Sequence, residues 1–180
     1  MRAWYRVRQF GQALLALFAP ADLTTQAAIR SHLPGDAWSL FSAMAAGDQR
    51  HGWLVLRSLQ ARGFQDPPLM QAALLHDCAK HAGRVRLWHR VAVVLLRAFW
   101  PAWLERWGQG PPPPRRDWRY PFWAHYNHPR LGAEMAAAMG CDPRAALLIA
   151  RHQDHQVPAQ TDDPDFNRWL AALRRADDDS

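Results

Sequence analysis

Three ionisable residues close an otherwise apolar stretch. In Leu69-Met70-Gln71-Ala72-Ala73-Leu74-Leu75-His76-Asp77-Cys78-Ala79-Lys80, the His76-Asp77 pair is followed by a lysine four and three places on. On a helix, that spacing lets all three project from one end of one face. Burying an unpaired imidazole or carboxylate is costly, and a divalent cation is the usual compensation where His and Asp arrive together. Lys80 is the only lysine among 22 basic residues. Its compact ammonium suits a phosphate oxygen in a way that arginine does not, although a composition poor in lysine could place one there by chance.

Further candidates fall at similar distances. His51 precedes His76 by 25 residues, His152 follows His128 by 24, and Asp177 follows His152 by 25. Each lies where a helix can present it, and His128, directly before Pro129, reads as a helix cap with its side chain turned back toward a site. Taken singly, such residues are more often satisfied core or surface groups than ligands.

Together, His51, His76-Asp77, His128-Pro129, His152 and Ala176-Asp177 resemble the HD-domain superfamily of metal-dependent phosphohydrolases. Leu74 to Lys80 is similar to its His-Asp-Ile-Gly-Lys motif, and the likeness runs over about residues 48–178. The resemblance implies an all-α bundle in which Asp77 bridges two divalent ions. His51, His76, Asp77 and Asp177 would bind one ion and Asp77, His128 and His152 the other, with Lys80 near a substrate phosphate. Manganese, iron, cobalt and magnesium all suit these nitrogen and oxygen donors. Gln153 stands where the cyclic-dinucleotide phosphodiesterase branch has a second histidine, and Glu105 and Glu134, the only glutamates, lack the following Asp of the alarmone-hydrolase branch. The expectation is therefore a phosphohydrolase acting on a small phosphorylated substrate, such as a nucleotide. Two other readings stand beside it: a di-iron oxygenase on the same ligands, and a non-catalytic binding or regulatory module.

Nearby residues carry weaker expectations. His81 and His89 read as surface or lid positions, His125 as an outer partner of His128, and Asp154 and His155 as groups at the site mouth. Cys78 reads as core packing. Asp178 and Asp179 compete with Asp177 for the final ligand position.

Apolar residues recurring every three and four places, with no alternating β-branched runs, predict helices throughout. Expected spans are 2–18, 21–31, 36–46, 48–62 capped by Asp48 and ended by Gly63, 67–80, 84–107, 129–139 ended by Gly140, 143–153 and 164–177. Asp66-Pro67, Asp142-Pro143 and Asp163-Pro164 each place a capping carboxylate before a proline suited to the first turn. Gly108 to Pro114 reads as a stiff connector.

The 180 residues fit one domain, with N-terminal helices over 1–47, a core over about 48–178 and an insertion over about 82–121. A chain that is 49% hydrophobic with 10 tryptophans excludes disordered and fibrous classes. Two cysteines cannot form a disulfide framework, which fits a reducing cytoplasm. Arg2, Arg6 and Arg8 ahead of Ala13 to Ala21 superficially resemble a secretory signal, but the same residues read as an amphipathic first helix. The apolar run Val91 to Leu104 is 14 residues long, short of the roughly 20 a membrane-spanning helix needs. The net charge of +6 is concentrated in residues 84–119, with eight arginines against Glu105 and Asp117, and half the tryptophans lie there too. Either the arginines snorkel from a helix that packs its tryptophans inward, or the segment meets a phosphate-rich partner, a membrane surface or nucleic acid.

Overall fold

A computed structural model of the chain describes residues 23–83, 96, 99–153 and 162–180. Among them are eight α-helices and no strand: α1 (Leu23–Ser31), α2 (Ala37–Ala43), α3 (Ala46–Ala61), α4 (Pro67–Leu75), α5 (Pro101–Gly108), α6 (Tyr120–Ala138), α7 (Pro143–Arg151) and α8 (Pro164–Asp178). A 3₁₀ helix, Cys78–Gly83, follows α4. The expected helix over 2–18, the positions of His89, Asp154 and His155, and most of the expected 84–107 helix lie outside the described residues.

Helix α4 is the axis of the bundle. Pro68, Leu69, Met70 and Ala72 to Leu75 are all buried, as a helix apolar on every side must be. It packs against α2, α3, α7 and α8, while α6 lies across α7 and the 3₁₀ helix. Ile29, Phe41, Leu56, Leu59, Leu148, Ile149, Phe166 and Leu170 fill the core around it.

The two predicted glycine terminators end α3 and α6. Gly63 (φ +87°) and Gly140 (φ +78°) take the left-handed conformation that glycine alone adopts without strain. Beyond them Phe64 N–H donates to Leu59 O and Cys141 N–H to Ala136 O, both at 3.1 Å, which satisfies carbonyls left over at the helix ends.

Several boundaries differ from expectation. Helix α3 begins at Ala46 behind Ala45, so Asp48 is not its cap; it is a buried residue of the first turn. Asp142 and Asp163 accept from Arg144 N and Phe166 N as predicted, but Asp66 makes no side-chain cap. The expected helix over 84–107 is not continuous. Trp100 (φ −142°, ψ 59°) leaves the helical region and Pro101 starts α5, because proline disfavours helical backbone in the residue before it. Helix α6 starts at Tyr120 and carries Pro129 inside it, so His128 lies within the helix and not at its cap. Finally, among the described tryptophans of the 84–119 stretch the inward packing holds only for the half-buried Trp107; Trp100, Trp103 and Trp118 are exposed.

Candidate metal centre

The α-helix expected over 67–80 tightens where the chemistry begins. His76 N–H still donates to Ala72 O (2.8 Å), one α-turn back, whereas Lys80 N–H donates to Asp77 O (2.9 Å), a three-residue span. His76 and Asp77 thus sit at the change of winding, and both are buried.

Three histidines are oriented alike. His76 Nδ1 donates to Ala73 O (3.0 Å), His128 Nδ1 to His125 O (2.5 Å) and His152 Nδ1 to Ile149 O (2.7 Å), each three residues back on its own helix. A carbonyl can only accept, so in the neutral ring the proton sits on Nδ1 and the lone pair on Nε2 is left for a ligand bond. At His128 the proline supplies the partner. His125 O would ordinarily accept from the N–H four residues on; Pro129 has none, and the carbonyl takes the imidazole instead.

All three Nε2 atoms converge on Asp77. Its Oδ1 lies 3.4 Å from His128 Nε2 and 3.9 Å from His152 Nε2, while its Oδ2 lies 3.6 Å from His76 Nε2 and 2.5 Å from Lys80 Nζ. Asp177 Oδ1 completes the second side, 3.3 Å from His76 Nε2 and 2.7 Å from His51 Nε2. Two overlapping groups result, His51–His76–Asp77 and Asp77–His128–His152, each with ligand atoms within 4.8 Å of one another. One carboxylate thus faces two sets of histidines with a different oxygen to each.

Glycines set the helix spacing that makes this convergence. A Cβ on Gly52 would stand 3.0 Å from Leu74 O and 3.3 Å from Ala73 O, so α3 lies directly on the end of α4 and brings the adjacent His51 to His76. A Cβ on Gly132 would stand 3.2 Å from Ile149 Cγ2 and 3.4 Å from Cys78 Sγ. That contact holds α6, one turn after His128, against the residues next to Asp77 and just before His152. The sequence marks Pro129 as the residue after His128, but the packing role of the two glycines and the partner that Pro129 frees are seen only in the structure. The available signal was their placement beside the histidines or one helical turn from them.

The electrostatics match the geometry. Burial would raise the Asp77 carboxyl, but His76, His128 and Lys80 hold it well below the usual carboxylate range. Burial likewise opposes ionisation of Asp177, and the hydrogen bond with His51 together with the neighbouring His76 imidazole overrides it. Burial, reinforced by His76 and His128, lowers His152 to about 3, which keeps its ring neutral and able to ligate. Cys78 is pushed up to about 12 by burial and then by Asp77, so it is an inert core thiol, as expected.

Among the remaining expectations, Asp178 and Asp179 are exposed and Asp179 pairs with Arg62 at 2.7 Å, so of the three terminal acids only Asp177 meets the histidines. His125 contributes its carbonyl to His128. Gln153 is half-buried beside His152.

The donor set fits a divalent cation on one observation in particular. His76 Nε2, Asp77 Oδ1, His128 Nε2 and His152 Nε2 are all buried from solvent without a hydrogen-bond partner. Buried polar atoms are nearly always paired, and a convergent group of four that is not paired is the arrangement a metal would satisfy. No family model, curated protein or solved structure matches the chain in comparisons with known proteins.

Proposed function

We propose that this chain is a metal-dependent phosphohydrolase of the HD-domain type, holding two divalent ions. The observation that carries the reading is the division of Asp77, with Oδ1 toward His128 and His152 and Oδ2 toward His76 and Lys80. On this reading His51, His76, Asp77 and Asp177 hold one ion, and Asp77, His128 and His152 the other. Bound there, the ions would supply Lewis acidity for a phosphoryl oxygen and bring the pKa of a water toward neutrality.

The protein's own groups divide the remaining work. His76, Asp77, His128 and His152 are essentially closed to solvent, whereas the side chains of His51, Asp177 and Lys80 are 26%, 23% and 22% exposed. Substrate therefore enters on the side of these three. Lys80 Nζ, fixed on Asp77 Oδ2, offers the entering phosphate a compact positive charge and holds it in line with the centre. The carbonyl-anchored histidines keep their rings from turning as charge moves at the phosphorus, and this preorganisation is what a transition state rewards.

Elemental analysis of chelator-free protein beside Asp77→Ala tests the first half. About two equivalents of metal in the wild type, lost in the variant while the helical circular-dichroism signal persists, are expected from a bridging carboxylate. Phosphate release from a panel of nucleotides and sugar phosphates tests the second half. Lys80→Met should keep the metal and lose about a hundredfold in turnover. Oxygen uptake with iron(II) and no phosphate release would replace the proposal with the oxygenase reading.

A further inference from the structure

The basic segment carries an aromatic face that the described residues do not cover. Phe99, Trp100, Trp103 and Trp118 are 68%, 59%, 54% and 61% exposed. Trp103 and Trp118 belong to one aromatic cluster, and Phe99 and Trp100 pair with each other just before it in the chain. Trp107 packs against Trp103 (5.7 Å) and Trp118 (5.3 Å) and rests on Phe122 of α6 (5.4 Å), while Phe99 contacts Trp100 (5.9 Å). The cluster is also held rigidly to α6. Trp123 Nε1 donates to Gly110 O and Asn127 Nδ2 to Gly108 O, both at 2.9 Å, which anchors the start of the proline connector. Four large exposed aromatic rings gathered in one short stretch of chain mark a surface that meets something other than water.

Charge and ring geometry select the partner. Arg106, Arg115 and Arg116 are exposed on the same stretch of chain as these rings, Arg119 is paired with Asp117 at 2.7 Å, and the sequence of residues 84–119 carries eight arginines against two acids. The rest of the chain is balanced, so the excess of positive charge belongs to this stretch of sequence. Tryptophan beside arginine is the composition of an interfacial surface, with indoles at the headgroup level and cations on anionic lipid. A strand of nucleic acid would need open ring faces on which bases stack. Here Trp103 and Trp118 each meet a neighbouring ring edge to face, at 79° for Trp103–Trp107, 85° for Trp107–Trp118 and 77° for Trp118–Phe122. No described helix is long and apolar enough to cross a membrane, so any lipid contact made by this face is lateral.

The geometry points to a docking site for an anionic phospholipid surface, formed by Phe99, Trp100, Trp103 and Trp118 with Arg106, Arg115 and Arg116. Phe122 beneath this cluster and His128 of the metal centre lie six residues apart on α6, about 9 Å along the axis at 1.5 Å per residue. Docking would thus fix the centre at a short and constant height above the lipid.

Full-length protein is sedimented with vesicles of phosphatidylcholine alone and of phosphatidylcholine with phosphatidylglycerol. Expected are binding to the anionic vesicles, a blue shift of tryptophan emission and weakening by salt. Arg115→Glu/Arg116→Glu should bind at least about tenfold more weakly, and Trp100→Ala/Trp103→Ala/Trp118→Ala should lose binding while its circular dichroism and metal content stay those of the wild type. Failure to bind anionic vesicles, or equal binding by the tryptophan variant, overturns the proposal. So does preferential binding of an RNA oligonucleotide, or self-association that the tryptophan variant abolishes without any vesicle binding.

Discussion

Substituting Gly52 by alanine probes whether helix spacing, and not ligand identity alone, builds the candidate metal centre. The added Cβ would meet Leu74 O at 3.0 Å and Ala73 O at 3.3 Å, whereas ordinary contact begins near 3.4 Å. Both neighbours are backbone, so α3 and α4 must part by about 0.4 Å, an overpacking that costs about 1–3 kcal/mol. Removing a helical glycine returns about 0.5–1 kcal/mol. The net expectation is a loss of about 1–2 kcal/mol, or about 2–8 °C in melting temperature for a chain of this size. The displaced Ala73 carbonyl is the one that holds His76 Nδ1, and His51 is the adjacent residue on α3. Metal affinity should therefore fall by about 10–100-fold, the range found when an outer partner of a ligand is disturbed. Gly47→Ala is the control: it lies on the same helix with nothing within 4 Å of its Cβ, and it should be neutral or slightly stabilising. Chemical denaturation and metal titration of the two variants decide the matter. If Gly52→Ala matches Gly47→Ala in both stability and metal affinity, the packing argument is wrong.

Other changes separate structure from ligation. Pro129→Ala restores an N–H that competes with His128 Nδ1 for His125 O; apo-protein stability should hold or rise while metal affinity drops about tenfold, read by thermal melts and competitive chelation. Asp142→Ala should cost about 1 kcal/mol and Asp66→Ala only a few tenths, because Asp142 alone of the two accepts a cap hydrogen bond, and urea melts will show the difference. Cys78 and Cys141, pushed up to about 12 and about 11, should resist thiol reagents at mildly alkaline pH until the protein is unfolded. Since the folded pKa values are raised, stability tied to these thiols is intact below the free-thiol value of 9.0 and is lost as pH climbs toward the folded values.

The helical class and most element positions were legible because they depend on local signals: apolar spacing, Asp-Pro starts, and Gly63 and Gly140 as stops. The chemistry-bearing residues were legible by type. Their meeting was implied by the family resemblance alone and not by spacing, since His51 and Asp177 pair across 126 positions through the packing of α3 on α8. Pro129 misled the reading of α6 because its usual place is a first turn, whereas here a side chain replaces the hydrogen bond it removes. The tryptophans misled in another way. Periodicity tells which residues share a helix face but not whether a neighbour covers that face, and Trp103 shares its segment with the half-buried Trp107 while remaining exposed itself.

The change of winding after His76 also explains why the lysine stands where it does. In an α-helix the best-aligned neighbours lie between three and four residues apart, so a cation could serve an acid from either position. With three residues per turn, the side chain at i+3 lies directly above that at i. Lys80 therefore stacks over Asp77, and a lysine at position 81 would rotate off to one side. The two intervening residues, Cys78 and Ala79, act as a ruler that spans one full turn of the tighter coil. Inserting one residue between Asp77 and Lys80 would preserve composition, charge and helical character, and would still uncouple the cation from the carboxylate.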